Sequence, residues 1–257
     1  MIKLGPAGTG EGTEEGLKRI KELGLDGVEI EFTYGVRMSV ATAKKLGGVA
    51  KKLGLKLSVH APYYINLASS EKEKIEASIK RILDSCERGH YLTAKYIVFH
   101  AAFYGKRSEE EVYQIVKKAI LEMQQVIKKN KWNVVLAPET TGKRSQFGTL
   151  DELLRLNKET GCAFCVDFAH LLARNGSIDY NEIIKKLKGF KEVHCHFSGI
   201  EYTEKGERRH LVTEKKDIKN LFEKLLKSKT NFMIINESPD PLGDSVKSKK
   251  ILEELKK

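Results

Sequence analysis

Tyr96-Ile-Val-Phe-His100 is a run of β-branched and aromatic residues that closes on a histidine. Five other runs close the same way. Lys56-Leu-Ser-Val leads into His60, Val134-Val-Leu-Ala-Pro into Glu139, and Ala163-Phe-Cys-Val into Asp167. Val193-His-Cys leads into His196, and Phe232-Met-Ile-Ile-Asn into Glu237. Short, nearly continuous apolar runs are the mark of parallel strands buried on both faces. The ligand-type residues that end them stand 28 to 41 positions apart, about one strand–helix–strand crossover. Strands of a closed parallel barrel that all end on such side chains deliver them to one C-terminal mouth.

Working outward, strand and helix signals alternate along the whole chain. Strands are predicted at 2–5, 27–32, 55–60, 95–100, 133–138, 163–167, 191–197 and 231–236. Helices are predicted at Thr13–Leu23, with Thr13 as N-cap and Gly24 as stop, and at Val40–Leu53, Glu71–Tyr91, Ser108–Lys129, Thr149–Thr160, Tyr180–Leu187, Glu214–Lys227 and Ser245–Lys256. Ser108-Glu-Glu-Glu111 reads as a capping box. Eight of each in alternation predict an α/β fold, a single (β/α)8 TIM barrel over residues 1–257, with a metal cluster at its C-terminal mouth. A doubly wound open sheet binds at one switch point, which leaves six ligand-bearing strand ends unexplained. The polar stretch from Phe197 to Val212 is expected to be a long functional loop on the mouth side.

The bulk properties narrow the setting. The chain has 257 residues, is 40% hydrophobic and 32% charged, and carries a formal net charge of +11. That excess suggests an anionic partner such as nucleic acid or a phosphorylated substrate, against the bland reading of a Lys-rich solvated surface. Cys162 and Cys165 form a CxxC across a strand with no second pair, so with Cys86 and Cys195 they are expected to be buried free thiols. No secretory signal and no apolar stretch near 18 residues is seen, so a cytoplasmic protein with no membrane partner is expected. The Gly-rich segment Gly5 to Gly12 lacks phosphate-loop spacing and its lysine, and is assigned no nucleotide role.

Five of the seven histidines (His60, His100, His170, His196 and His210) fall at strand ends or in mouth-side segments. A lone histidine there is more often a hydrogen-bonded structural residue than a ligand. Here the same face also receives Glu139, Asp167 and Glu237, and burying them all without cations would leave charge uncompensated. Histidine with carboxylate is the donor set of zinc, with manganese the alternative. A central carboxylate such as Glu139 can bridge two cations, and a metal pair held roughly 3.5–4 Å apart can activate water for phosphoryl displacement. Glu139 and Glu237 are the expected catalytic carboxylates. No Ser/His/Asp triad is apparent. Asp167-Phe-Ala-His170 is read as a tight turn whose ends serve adjacent metals, against a turn-capping Asp beside a stacking His. His194 is read as barrel filling and His90 as a helix-end residue.

Six ordered motifs carry a resemblance: His60-Ala-Pro-Tyr-Tyr-Ile-Asn-Leu67, Phe99-His100, Pro138-Glu-Thr-Thr-Gly142, Val166-Asp-Phe-Ala-His170, His196-Phe-Ser-Gly199 and Glu237-Ser-Pro239. Over about residues 55 to 240 the chain resembles endonuclease IV, the type 2 apurinic/apyrimidinic endonuclease family within the xylose-isomerase-like barrels. The resemblance implies a trinuclear zinc phosphodiesterase that cuts DNA 5′ to an abasic site. It implies that His60 and His100 hold one zinc and that Glu139 bridges to a second, completed by Asp167, His196 and Glu237. His170 and His210 would hold the third zinc with an aspartate two residues before His210. Tyr63 would be an aromatic that helps hold distorted DNA. The position two before His210 is Arg208, which cannot bind a cation, so the centre is expected to be bi- or trinuclear, with Glu207 able to reach in only if the register shifts. Thr33-Tyr-Gly-Val-Arg-Met38 does not clearly match the family's DNA-inserting loop, although Arg37 could play that part.

Three functions follow as expectations. The first is an abasic-site endonuclease acting on damaged double-stranded DNA as a monomer. Lys106, Arg107, Lys143, Arg144, Arg174, Lys205, Arg208 and Arg209 would then run along the backbone, with Arg208 and Arg209 as DNA-binding residues. The second is a metal-dependent sugar or sugar-phosphate isomerase or epimerase, for which fewer histidines and more carboxylates are expected. The third is a metal-stabilised nucleic-acid-binding protein with little catalysis.

Overall fold

A computed structural model of the protein describes residues 1–9 and 13–257. Eight parallel strands close into a TIM barrel: β1 (Ile2–Pro6), β2 (Gly27–Glu31), β3 (Lys56–His60), β4 (Tyr96–Phe99), β5 (Val135–Pro138), β6 (Cys165–Asp167), β7 (Glu192–Phe197) and β10 (Asn231–Asn236). Two four-stranded arcs, β1-β10-β7-β6 and β2-β3-β4-β5, are joined by the parallel bridges Ala7 to Glu29 and Glu139 to Cys165. Each sequence-predicted strand overlaps one of these. The strands are buried on both faces, as their apolar content demanded.

Helices α1 (Thr13–Glu22), α2 (Val40–Leu53), α3 (Lys72–Leu92), α4 (Glu109–Lys129) and α5 (Leu150–Thr160) form much of the outer ring. α7 (Tyr180–Lys186), α8 (Lys215–Leu225) and α9 (Pro241–Glu254) continue it. The capping box Ser108/Glu111 forms at the start of α4, and a second one, Thr149/Glu152, opens α5. Thr13 is already helical rather than a cap, and α9 begins at Pro241, four residues before its predicted start. The Gly-rich segment after β1 is described only to Thr9, so residues 10–12 of that reading lie outside the described residues.

Two local expectations are corrected. Asp167-Phe-Ala-His170 is not a tight turn: Asp167 is the N-cap of α6 (Phe168–Asn175) and accepts the backbone N–H of His170 at 2.8 Å. The stretch from Phe197 to Val212 is not a loop but an antiparallel hairpin, β8 (Gly199–Thr203) and β9 (Gly206–Leu211). Both errors share one cause. In both segments polar residues serve two sides, Glu207 and His210 facing the cavity while Arg208 and Arg209 pair outward with Glu201, so no simple helical or strand periodicity survives in the sequence. The four cysteines are free and buried, and no helix of the described residues is long and apolar enough to cross a membrane.

Candidate metal centre

The barrel register sets the site's depth. His60 and Asp167 are the last residues of β3 and β6. His100, Glu139 and Glu237 directly follow β4, β5 and β10, and His196 lies one residue inside the end of β7. All six therefore meet in one layer at the C-terminal mouth. His170 enters from α6 and His210 from β9, so the eight expected ligands come together.

Glu139 is the centre of the arrangement and is 1% exposed. Its Oε2 lies 3.2 Å from His60 Nε2 and 3.0 Å from His100 Nε2. Its Oε1 lies 3.0 Å from His196 Nδ1 and 3.3 Å from His170 Nδ1. Each oxygen thus addresses a different pair of imidazoles, as a carboxylate shared between two positions must. His196 Nδ1 is also 3.1 Å from Glu237 Oε1. Burial opposes a charge on Glu139, yet His196 and His100 beside it hold the carboxyl well below its usual range. Burial likewise opposes a charge on His60, but Glu139 and Glu31 outweigh it and lift the imidazole to about 10.

Three subsites can be drawn from donor atoms that converge within metal-binding reach: His60, His100 and Glu139; Glu139, Asp167, His196 and Glu237; and Asp167, His170 and His210. The residues fit divalent cations on two observations. Asp167 uses Oδ1 to cap α6, while its buried Oδ2 has no hydrogen-bond partner. Several histidines are also anchored through the nitrogen that faces away from the centre. His60 Nδ1 donates to the Ala61 carbonyl at 2.8 Å, and His210 Nδ1 lies 2.6 Å from the Ser198 hydroxyl. The carbonyl contact fixes the tautomer of His60, and both contacts turn the other ring nitrogen toward the centre, as in built metal sites.

Glu207 also reaches the third subsite. Its Oε2 lies 3.4 Å from His170 Nε2, beside the 3.3 Å approach of His170 Nε2 to His210 Nε2. Gly142 makes room for it, since a Cβ at residue 142 would stand 2.7 Å from both Glu207 Cβ and Oε2. Arg208 and Arg209 instead point away and both pair with Glu201, at 2.9 and 2.6 Å.

Around the centre lies a cavity of about 390 Å³ lined by His60, Tyr63, His100, His170, Glu237 and Lys143, among others. Tyr63 is exposed at its rim, 6.1 Å from the His60 ring. Arg37 and Tyr34 line a neighbouring cavity of about 380 Å³ that shares Glu31 with the first. Arg174 does not belong among the mouth-side cations. It is buried in α6, donating to Thr141 Oγ1 and to the carbonyls of Lys143 and Gln146. His194 fills the barrel as expected, bonded to Glu29, and His90 accepts the N–H of Asn133 near the end of α3.

Sequence reasoning missed Glu29 and Glu31. Glu29 is fully buried, and burial pushes the Glu31 carboxyl up to about 8. The signal was present in Gly27-Val-Glu-Ile-Glu31, where alternation places both carboxylates on one face of a buried strand.

A closed parallel barrel with a histidine–carboxylate cluster at its mouth defines a class of barrel proteins that carry metal-ligand side chains at their strand ends. Within that class the chain belongs to the family described as xylose isomerase-like TIM barrel, whose profile matches residues 17–256. It is 37% identical to an uncharacterised protein of Methanocaldococcus jannaschii over 99% of this chain and 98% of that one. It is 28% identical to a probable endonuclease 4 of Mycobacterium leprae over 68% and 70% of the two chains. Among solved structures, it superposes on endonuclease IV from Thermus thermophilus with a TM-score of 0.74 at 20% identity, over 98% and 99% of the chains. The 3-keto-D-glucoside 4-epimerase of E. coli gives 0.72 at 20% identity, over 99% and 100%. At that identity both show the fold alone.

Proposed function

We propose that this chain is a metal-dependent phosphodiesterase that incises double-stranded DNA 5′ to abasic sites, acting as a monomer with its mouth open to the duplex. One observation carries the reading. The carboxylate-rich subsite of Glu139, Asp167, His196 and Glu237 is flanked by an imidazole pair on each side, His60/His100 and His170/His210. A sugar isomerase on this barrel is expected to use fewer histidines and more carboxylates; flanking imidazole pairs suit a cluster that grips several oxygens of a phosphodiester. The probable endonuclease 4 relatives support the same substrate class.

Zinc or manganese held there would supply Lewis-acid polarisation of the phosphodiester and lower the pKa of an attacking water. The chain's own residues do the rest. Glu139 holds two subsites in register, and Glu237 and Asp167 keep negative charge beside His196 and His170. Lys143 at the cavity wall meets a backbone phosphate, and Tyr63 at the rim offers a ring face to an unstacked base.

A second reading, a metal-dependent sugar epimerase, is favoured by Glu31, an additional carboxylate on the cavity wall suited to a sugar hydroxyl. One assay separates them: a duplex with a single abasic-site analogue, undamaged duplex and a panel of free ketoses, each with wild type and His100→Ala. Incision confined to the lesion and lost in the variant is the expected result. Ketose epimerisation without incision would overturn it in favour of the sugar enzyme, and tight binding of uncut abasic duplex would favour a binding protein.

A further inference from the structure

Glu29 is fully buried beneath the centre, on β2, and reaches across the barrel interior to β7. Its Oε2 lies 2.8 Å from His194 Nε2, and its Oε1 lies 2.8 Å from His196 Nε2. Both Oε1 and His196 Nε2 are buried without a hydrogen bond of good geometry, and at 2.8 Å they face each other as two unsatisfied polar atoms. Two lone pairs at 2.8 Å inside a dry barrel would repel, so His196 Nε2 must carry a hydrogen. The neutral imidazole then presents its lone pair at Nδ1. That nitrogen faces two carboxylate oxygens, Glu139 Oε1 at 3.0 Å and Glu237 Oε1 at 3.1 Å. Those oxygens call for positive charge at Nδ1, supplied by a proton in the metal-free protein, which the 3.0 Å contact to Glu139 accommodates, and by a metal ion once one is bound.

We infer that Glu29 is a positioning residue: it dictates that His196 takes its metal through Nδ1 and raises the basicity of that nitrogen. The inference rests on the metal-centre reading above and adds to it a residue outside every ligand motif. His60 and His210 are anchored by a neutral carbonyl and a hydroxyl, whereas His196 has a full carboxylate behind it. A carboxylate in that place strengthens the ligand more than a neutral acceptor does. His194 gives Glu29 its second partner and so holds the carboxylate still. A competing arrangement exists in the same layer, because Cys165, His194 and His196 could together take a cation on the Nε2 side.

The test is made on the zinc-loaded wild type and Glu29→Gln, with metal content by mass spectrometry, zinc affinity by competition with a chelating dye, and histidine tautomers by ¹⁵N NMR. His196 metallated at Nδ1 with hydrogen on Nε2, and an affinity for one zinc reduced about 10–100-fold in Glu29→Gln, is the expected result. The tautomer is read on the wild type itself, so a variant that fails to fold does not remove the test. Zinc bound through Nε2 of His196 would overturn the inference, as would a thiolate-to-metal charge-transfer band from Cys165 in the cobalt form. Equal zinc affinity in both proteins would overturn the positioning role alone, whereas a wild type that binds no zinc would overturn the metal reading beneath it.

Discussion

Glu207 and His210 face the same cavity from one strand although they are three residues apart, with Glu207 Oε1 3.7 Å from His210 Nε2. Strict alternation would send them to opposite faces. The register of the hairpin explains the exception: Arg209 pairs with Glu201, but Tyr202 pairs with Glu207, leaving Arg208 as an extra residue. That bulge turns Arg208 and Arg209 outward together and brings Glu207 inward. A carboxylate therefore stands at the third subsite even though an arginine occupies the position where the family resemblance leads one to expect an aspartate.

Glu207→Ala should cost one zinc per chain, read by metal analysis after dialysis, and leave the other subsites filled. Adding Arg208→Asp to that variant should not restore the ion, because residue 208 points away from the site. Recovery in the double variant would show that the bulge is absent in solution.

Removing divalent cations should loosen the whole mouth. Zinc present at a hundredfold excess over its dissociation constant should stabilise the protein by about 2.7 kcal/mol relative to the chelated form. Thermal unfolding with and without chelator measures this, and His100→Ala should shrink the difference. Identical unfolding under both conditions would contradict a metal-holding cluster.

Arg208 and Arg209 are exposed but held by Glu201, so a duplex bound as proposed would have to compete with that carboxylate for them. Replacing both with Ala should weaken duplex binding and reduce the salt dependence of affinity by up to one phosphate contact each. Glu201→Gln should tighten binding by freeing both guanidinium groups. An unchanged salt slope in the double variant would remove them from the DNA path.

On the opposite face, Glu192 pairs with Lys56 and Lys95, each at 2.9 Å. Burial opposes its charge, but the two lysines outweigh it and hold the carboxyl at about 2. A carboxyl lowered in the folded state stabilises above its unfolded pKa, near 4.5, and loses that contribution as the pH falls toward 2. Glu192→Gln should therefore be less stable than wild type at pH 7, by on the order of 1 kcal/mol because both lysines are largely solvated. The two should converge near pH 2 in denaturant titrations. A gap that stays constant with pH would mean that Glu192 acts by packing.

Much of the barrel and most of the centre were legible in the sequence, for a local reason. A buried parallel strand is a short apolar run, and a residue at its C-terminal end is carried to the mouth by the strand alone. That is why His60, His100, Glu139, Asp167, His196 and Glu237 could be named from their positions. What chain-local pattern could not decide were the features set by partners distant in sequence. Glu207 enters the site because β8 imposes a bulge on β9, and Arg174 is withdrawn because the Thr141–Gln146 segment folds over it. Glu29 and Glu31 lie inside the barrel because β2 turns that face to the interior, where Glu29 meets His194 and His196 of β7. Residue order alone determined which side chains stand at the strand ends; the tertiary structure decided which nitrogens and oxygens face one another, because pairing register and burial of charge are properties of distant segments brought together.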